Sequence, residues 1–195
     1  MLNDLSSPLA LLATRRSGKP RDMVGPGPSG EQLEHILEIA ARTPDHGKLH
    51  PWRFVVVGDE QRDDLARLLG RALSENDPGA THAHHQKAAD FARQGEALVV
   101  LLFAPVDSAK IPLWEQQLSC GAVGMNLLHA AHAMGFVGSW LTGWAAYDPT
   151  VTKAFCLSGE RIAGFFFFGS PGQPLAERPR PENPTVVRHW QPPLD

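Results

Sequence analysis

The sequence predicts one mixed fold of helices and strands, and three observations carry that reading. The first is a long helix-forming stretch that fills most of Pro112 to Trp144. The second is a set of short unbroken apolar runs, at 54–57, 97–103 and 162–168, each the length of a buried strand. The third is the series of capped, amphipathic segments that separate those runs. The 195 residues suffice for one core, and no composition shift or linker divides them, so 1–195 reads as a single domain.

The long stretch organises the rest. Pro112 suits a first helical turn, and nothing breaks the pattern until Gly135. Trp114, Leu118, Gly121, Met125 and Leu128 form one stripe at helical spacing, and Cys120, Val123, Leu127 and Met134 form another. Glu115, Ser119, Asn126 and His129 leave only a narrow polar seam. A helix apolar on nearly all sides is central to a core or covered by another chain. The expectation is a core helix that also packs across a dimer interface, and a core helix of a monomer fits the same pattern.

In chain order, Ser7-Pro8 opens a first helix whose apolar face is Leu9, Leu12 and Ala13. It should stop near Gly18, with Arg15, Arg16, Ser17, Lys19 and Arg21 crowded at its end. Cations there favour the helix dipole, but two adjacent arginines with a serine and further cations also suit a phosphate. A Gly/Pro loop at 22–28 precedes Ser29 and Gln32, a capping-box pair. Leu33, Ile36, Leu37, Ala40 and Ala41 form the face of the second helix. The polar loop 45–51 leads into Phe54–Val57, whose β-branched run reads as a buried strand. Asp59 caps a third helix with Leu65, Leu68 and Leu69 inward and Arg62, Asp63, Asp64 and Arg67 outward. Residues 74–96 read as a turn and then an exposed helix or lid.

Ala97–Phe103 is a central strand, and Phe136–Leu141, bounded by glycines, is another. Asp148-Pro149 starts a short helix through Phe155. Ile162–Phe168, with four consecutive phenylalanines, is a strand buried on both faces. Seven of the seventeen prolines fall after residue 168, so the tail from about 170 to 195 is neither helix nor central strand. It carries Val186, Val187 and Trp190, which points to an extended arm lying on another surface.

Bulk properties exclude several classes. A formal charge of −3 and a pI near 6.3 give no basic field, so neither a nucleic acid nor an anionic membrane is an expected partner. No apolar run approaches the ~20 residues of a membrane span. The N-terminal apolar segment is short and flanked by charges in the reverse order of a secretory signal. Cys120 and Cys156 lack paired spacing, which suits reduced thiols and a cytoplasmic location.

Nine histidines raise the question of a metal. His46 and His50 are four apart, but Gly47 and Pro51 break the helix that would aim both rings at one ion. His82, His84 and His85 sit in the least readable segment, and His129 and His132 have no carboxylate beside them on their helix. No metal ligand is therefore assigned, although a histidine-rich metal-dependent hydrolase stays open as an alternative. There is no Gly-x-Ser-x-Gly elbow, no thiolate-supporting partner for either cysteine, and neither common nucleotide cradle. What remains is a cluster of arginines, a polar loop before a strand, a low-profile helix and the turn Gly138-Ser139-Trp140-Leu141-Thr142-Gly143. Together these could hold a large flat anion, with cations at its phosphate and the close backbone and Trp140 at its rings.

At this point a resemblance becomes specific. Arg15-Arg16-Ser17, Ala41-Arg42-Thr43-Pro44-Asp45-His46, Pro51-Trp52, Trp114-Glu115-Gln116, Gly135-Phe136 and Trp140 occur in an order and at separations that resemble the nitroreductase family of FMN-dependent NAD(P)H oxidoreductases. Within it they are most similar to a compact subgroup of short chains. The resemblance covers nearly the whole sequence and is weakest at 74–96 and in the tail.

It implies an α+β nitroreductase-like fold, a central and mostly antiparallel sheet flanked by helices, in an intertwined homodimer with two FMN sites at the interface. Arg15, Arg16 and Ser17 would hold the ribityl phosphate, with Trp140, Leu141 and Thr142 beside it or the ring. Arg42 and His46 would reach in from the partner subunit. Ala130, Ala131, His132, Ala133, Met134 and Gly135 mark the stretch the subgroup uses near the nicotinamide cofactor. Where many members carry a Ser-x-x-Asn-x-Gln-Pro-Trp pattern, this chain has Asp45, Lys48 and His50 before Pro51-Trp52. Arg178 and Arg180 occupy the region where many members place a basic residue toward the phosphate; the subgroup varies there, and neither joins the site list.

The implied activity is hydride transfer from NADH or NADPH through FMN to a small oxidant such as a nitroaromatic or quinone, in alternating half-reactions. The cofactor carries the chemistry, so no side chain is named as a catalytic acid or base. A flavin-binding or flavin-consuming protein of the same fold with little reductase turnover is the nearer alternative.

Overall fold

The computed structural model describes residues 1–193, so the last two residues of the expected C-terminal arm lie outside the described residues. Its centre is the strand written by the phenylalanines. That strand, β5 (Arg161–Pro171), has Phe165, Phe166, Phe167 and Phe168 all at zero exposure. Alternation sends Phe165 and Phe167 to one face of the sheet and Phe166 and Phe168 to the other, and each pair joins a different core cluster. β3 (Ala97–Phe103) pairs with β5 along its length and is buried at every position.

The remaining strands are β1 (Met23–Val24), β2 (Trp52–Val57) and β4 (Val137–Leu141). β2 pairs with β3, while β4 and β1 follow one another along the far side of β5, and all four pairings are antiparallel. The expected α+β class with an antiparallel sheet is therefore what the chain adopts.

Helices cover both faces. On one lie α3 (Arg62–Asn76), α4 (His82–Arg93) and α6 (Pro149–Phe155), which pack Leu65, Leu69, Ala88 and Val151 against Phe165 and Phe167. Phe91 of α4 meets both phenylalanines edge-on, at centroid distances of 5.3 and 5.2 Å. On the other face lie α2 (Gly30–Ala41) and α5 (Leu113–Ala133), with Ile36, Ala40, Val123 and Leu127 against Phe166 and Phe168. The short α1 (Pro8–Thr14) rests beside α5, and one further turn, α7 (Asn183–Val186), lies in the tail. The capping box of α2 forms as expected, with Ser29 Oγ accepting from Gln32 N and Gln32 Oε1 from Ser29 N.

Several expectations are corrected. β2 is an edge strand with Val56 44% exposed, because its second side has no strand neighbour among the described residues. Arg62 points inward: only 7% exposed, it donates from Nη1 to the carbonyls of Ala92 (2.9 Å) and Gln94 (3.2 Å) and ties α3 to the end of α4. Leu11, not Leu9 or Leu12, is the buried leucine of α1; the other two face outward. Asp59 begins a separate 3-10 turn ahead of α3 rather than capping it. Pro112 caps α5 instead of opening it. The tail does contain one helical turn, tolerated because Pro184 sits in its first turn, where no N–H is required. The loop at 22–28 includes β1, whose two residues complete the sheet beside Ser170 and Pro171.

Candidate functional site

Where α1 ends, the backbone turns extended at Arg15 and runs across the end of α5. Asn3 holds that run: its Oδ1 accepts from Arg16 N at 2.6 Å and its Nδ2 donates to Arg16 O at 3.1 Å. Asn3 itself takes a left-handed φ of 52°, which asparagine tolerates better than most residues. Nothing in the sequence singles it out, since its role depends on a fold-back across thirteen residues. His132 Nε2 also meets Arg16 O, at 3.2 Å. Gly18 then passes so close to the start of β4 that a Cβ there would lie 2.9 Å from a methyl of Val137.

The side chains of this turn concentrate positive charge. Arg15 Nη1 reaches Ser17 Oγ at 3.4 Å, and Arg16 Nε donates to Ala176 O at 2.7 Å, leaving its terminal nitrogens available. Arg180 of the tail donates to Arg15 O at 3.4 Å, so a cation the sequence reading set aside does arrive at the turn. Among the described residues neither Arg15 nor Arg16 pairs with a carboxylate. Burial, followed by the charges of Arg180 and Arg16, depresses the Arg15 pKa below the usual guanidinium value. Crowded, half-buried cations without counter-ions are the electrostatic signature of an anion site.

From the turn, β4 runs along the sheet with β5 on one side and no strand on the other among the described residues. Its residues alternate. Trp140 packs inward on Phe166, with centroids 4.9 Å apart, and its indole N–H is spent on Ala163 O at 3.0 Å. Leu141 joins the opposite cluster. A ligand on this edge would therefore meet backbone and Thr142 rather than the face of the Trp140 ring that the sequence suggests. Gly143, at φ 66°, ends the edge.

The second group of named residues lies elsewhere. Arg42 caps the end of α2 and is exposed, with no side-chain hydrogen bond among the described residues. Next to it Thr43 is buried, accepting from Asn126 Nδ2 at 2.7 Å. His46 Nδ1 is 2.6 Å from Glu115 Oε2, so the histidine is anchored at the start of α5. His132, which meets the Arg16 turn, is at the other end of α5. The seventeen residue steps from 115 to 132 span ~25 Å of helix. One chain alone does not bring His46 to the Arg15–Ser17 turn.

Of the stretch 130–135, Ala130, Ala131 and His132 are buried, while Ala133 and Gly135 are exposed and Met134 lies between. A cavity of 610 Å³ opens between α3, α4 and the segment 144–149, walled by Trp144 and Tyr147. Its polar rim is largely satisfied internally: Asn76 donates to Asp148 and Thr150, and Asp148 caps α6. Among the described residues no three metal-ligating side chains converge, and no helix is long and apolar enough to cross a membrane.

A model of the nitroreductase family matches residues 12–170, from α1 to the end of β5. The chain belongs to the nitroreductase family. A relative from Haemophilus influenzae named "Putative NAD(P)H nitroreductase" is 39% identical over 173 residues, covering 87% of this chain and 91% of its own. Among solved structures, a nitroreductase-like family protein from Bacillus cereus superposes with a TM-score of 0.79 at 19% identity, over 95% of this chain and 96% of that one. A Desulfovibrio desulfuricans "putative nitroreductase in complex with fmn" gives 0.70 at 21% identity, over 95% and 98%. The structures attest the nitroreductase fold; the family match and the sequence relative attest the family.

Proposed function

We propose that the chain is an FMN-dependent NAD(P)H oxidoreductase that works as a homodimer. The observation that carries this reading is the unpaired edge of β4, with the arginine turn at its start and Thr142 just past its end. Five strand residues span ~17 Å, comparable with an extended FMN molecule. Arg15, Arg16 and Ser17 hold the phosphate, and the backbone at Trp140, Leu141 and Thr142 lines the ribityl chain and ring. The complex formed by the Desulfovibrio neighbour supports FMN as the group that fits there.

Bound FMN supplies the redox chemistry, taking hydride from NADH or NADPH and passing electrons to a small oxidant such as a nitroaromatic or quinone. The chain orients the reactants, keeps the phosphate paired with guanidinium groups and excludes water with its apolar edge. The stretch Ala130–Gly135 stands at the phosphate end of this arrangement, so its surface members Ala133, Met134 and Gly135 would meet the nucleotide part of NADH or NADPH rather than the nicotinamide ring.

The homodimer follows from the two ends of α5. His46 sits at one end and the Arg16 turn at the other. Antiparallel pairing of two α5 helices brings His46 and Arg42 of one protomer to the arginine turn of its partner. The outward residues Leu9, Leu12, Leu113, Trp114 and Leu118, at 53–76% exposure among them, supply an apolar face for such an isologous contact. The arm stays on its own chain as far as Arg180 and beyond it lies on the partner in this assembly, where Val186, Val187 and Trp190 find cover. Reduced Cys120 and Cys156 support a cytoplasmic location.

The test is direct. Protein reconstituted with FMN should show oxidised-flavin absorption bands, sediment as a dimer and bleach on addition of NADH or NADPH, recovering colour with a nitroaromatic. A colourless monomer after reconstitution overturns the proposal.

A further inference from the structure

His132 is completely buried at the end of α5, yet both of its ring nitrogens touch oxygen. Nδ1 lies 2.6 Å from Leu128 O, one turn back on the same helix, and Nε2 lies 3.2 Å from Arg16 O. Both partners are backbone carbonyls, which can only accept. A neutral imidazole has one N–H, so it satisfies one carbonyl and turns a lone pair toward the other. An imidazolium satisfies both. The shorter contact fixes the neutral tautomer: Nδ1–H donates to Leu128 O, and Nε2 faces Arg16 O without a proton.

Charge around the ring opposes the second proton in the flavin-free chain. Burial is the largest influence depressing the His132 pKa; Arg15 on the turn and His129 on α5 push the same way, and the two carbonyls push back. Arg16 and Arg180 add positive charge from the turn and the tail. A phosphate dianion seated on Arg15 and Arg16 reverses that balance, since an anion beside a titratable base favours its cation.

We infer that His132 is a positioning residue for phosphate binding: it takes up a proton when the anion arrives, and its second N–H then locks the Arg16 carbonyl and the turn that carries the guanidinium groups. This goes beyond the flavin reading but rests on its placement of the phosphate at Arg15–Ser17. It also gives His132 a different part from direct contact with a nicotinamide cofactor, which its burial prevents. The ring acts on the ligand only through the backbone of Arg16.

The experiment compares His132→Gln, His132→Asn and His132→Leu in the full chain. Glutamine presents an N–H at the reach of Nε2; asparagine reaches only as far as Nδ1, and leucine presents none. FMN affinity, read by quenching of flavin fluorescence, should fall about tenfold in H132N and H132L, the cost of a lost hydrogen bond to the turn, and should recover in H132Q. The ratio of wild-type to H132Q affinity should rise as pH falls from 8 toward 6; protonation of the phosphate itself and of His129 affects both proteins and cancels in the ratio. Equal FMN affinity in folded H132L and wild type, or a pH-independent ratio, overturns the inference. Amide exchange at residues 16–18 should be faster in FMN-bound H132L than in FMN-bound wild type, whereas the flavin-free proteins, in which Nε2 carries no proton, should match; equal exchange in the bound forms also counts against it. Wild-type protein that binds no FMN overturns the flavin reading instead, and the same exchange comparison with inorganic phosphate as the anion then decides whether His132 holds the turn.

Discussion

Arg16 shows how much one residue does here. Its backbone is held at N–H and C=O by Asn3 and touched by His132, and its Nε is committed to Ala176 O. The remaining guanidinium nitrogens can therefore be presented with little loss of freedom. Charge-assisted hydrogen bonds contribute ~1.5–3 kcal/mol each, so Arg16→Ala should weaken FMN binding by at least about tenfold while leaving the far-UV circular dichroism unchanged. Equilibrium dialysis with FMN checks it, and full flavin occupancy at micromolar FMN contradicts the assignment. His132 carries a pH signature even without flavin. Its folded pKa lies below its unfolded value, so the unfolded chain binds the extra proton first. Stability present at neutral pH should thus be lost as pH falls through about 6.5, the unfolded histidine value, and H132Q should flatten that loss in thermal melts. Gly164 is a third decisive residue, because a Cβ there would collide with Nε1 of Trp140. Gly164→Ala should cost about 1–3 kcal/mol by pushing the indole off Ala163 O, visible as a lowered denaturant midpoint.

Among the elements, those whose whole surroundings are local were the most readable. Ser29 and Gln32 announce the start of α2, and both cap hydrogen bonds form, at 3.3 and 2.9 Å. Ser29→Ala should remove ~1 kcal/mol, a melting shift of about 2–4 °C for a chain of this length. β3 and β5 were equally plain, since an unbroken apolar run is what a strand covered on both faces requires. The β-branched run of β2 looks the same at an edge as at the centre, and only the pairing order distinguishes them. Arg62 was placed outward because long cations usually are. Its burial depends on the carbonyls of Ala92 and Gln94, thirty residues later, which no local pattern announces. The site divides likewise: the arginine cluster was legible as a run of charge, whereas Asn3 and the burial of His132 were set by the fold. The glycine-rich turn 138–143 offers the indole of Trp140 to a ligand in the sequence, but Gly124 and Gly164 are small to make room for that ring inside the core.

For the whole molecule, α5 sets the distance between the two halves of the proposed site, and a second copy closes it. Leu118, 53% exposed on that helix, lies in the apolar face proposed to be shared. Leu118→Glu should leave the monomer folded, since its side chain takes little part in the core, but shift sedimentation toward the monomer and reduce flavin content in parallel. A monomer that retains FMN at wild-type affinity would break the link between assembly and cofactor. The sheet has a separate bearing on how the chain is made. Its central ladder joins Leu98 to Phe167, sixty-nine positions apart, and the four fully buried phenylalanines lie at the far end of that span. During synthesis β2 and β3 emerge with α3 and α4 between them, and α5 follows with α2 to pack against, but the strand that both core clusters share is still missing. A ribosome that has reached Glu160 has not yet made Phe165–Phe168, so the apolar faces those rings cover stay exposed on the nascent polypeptide until the last strand clears the exit tunnel.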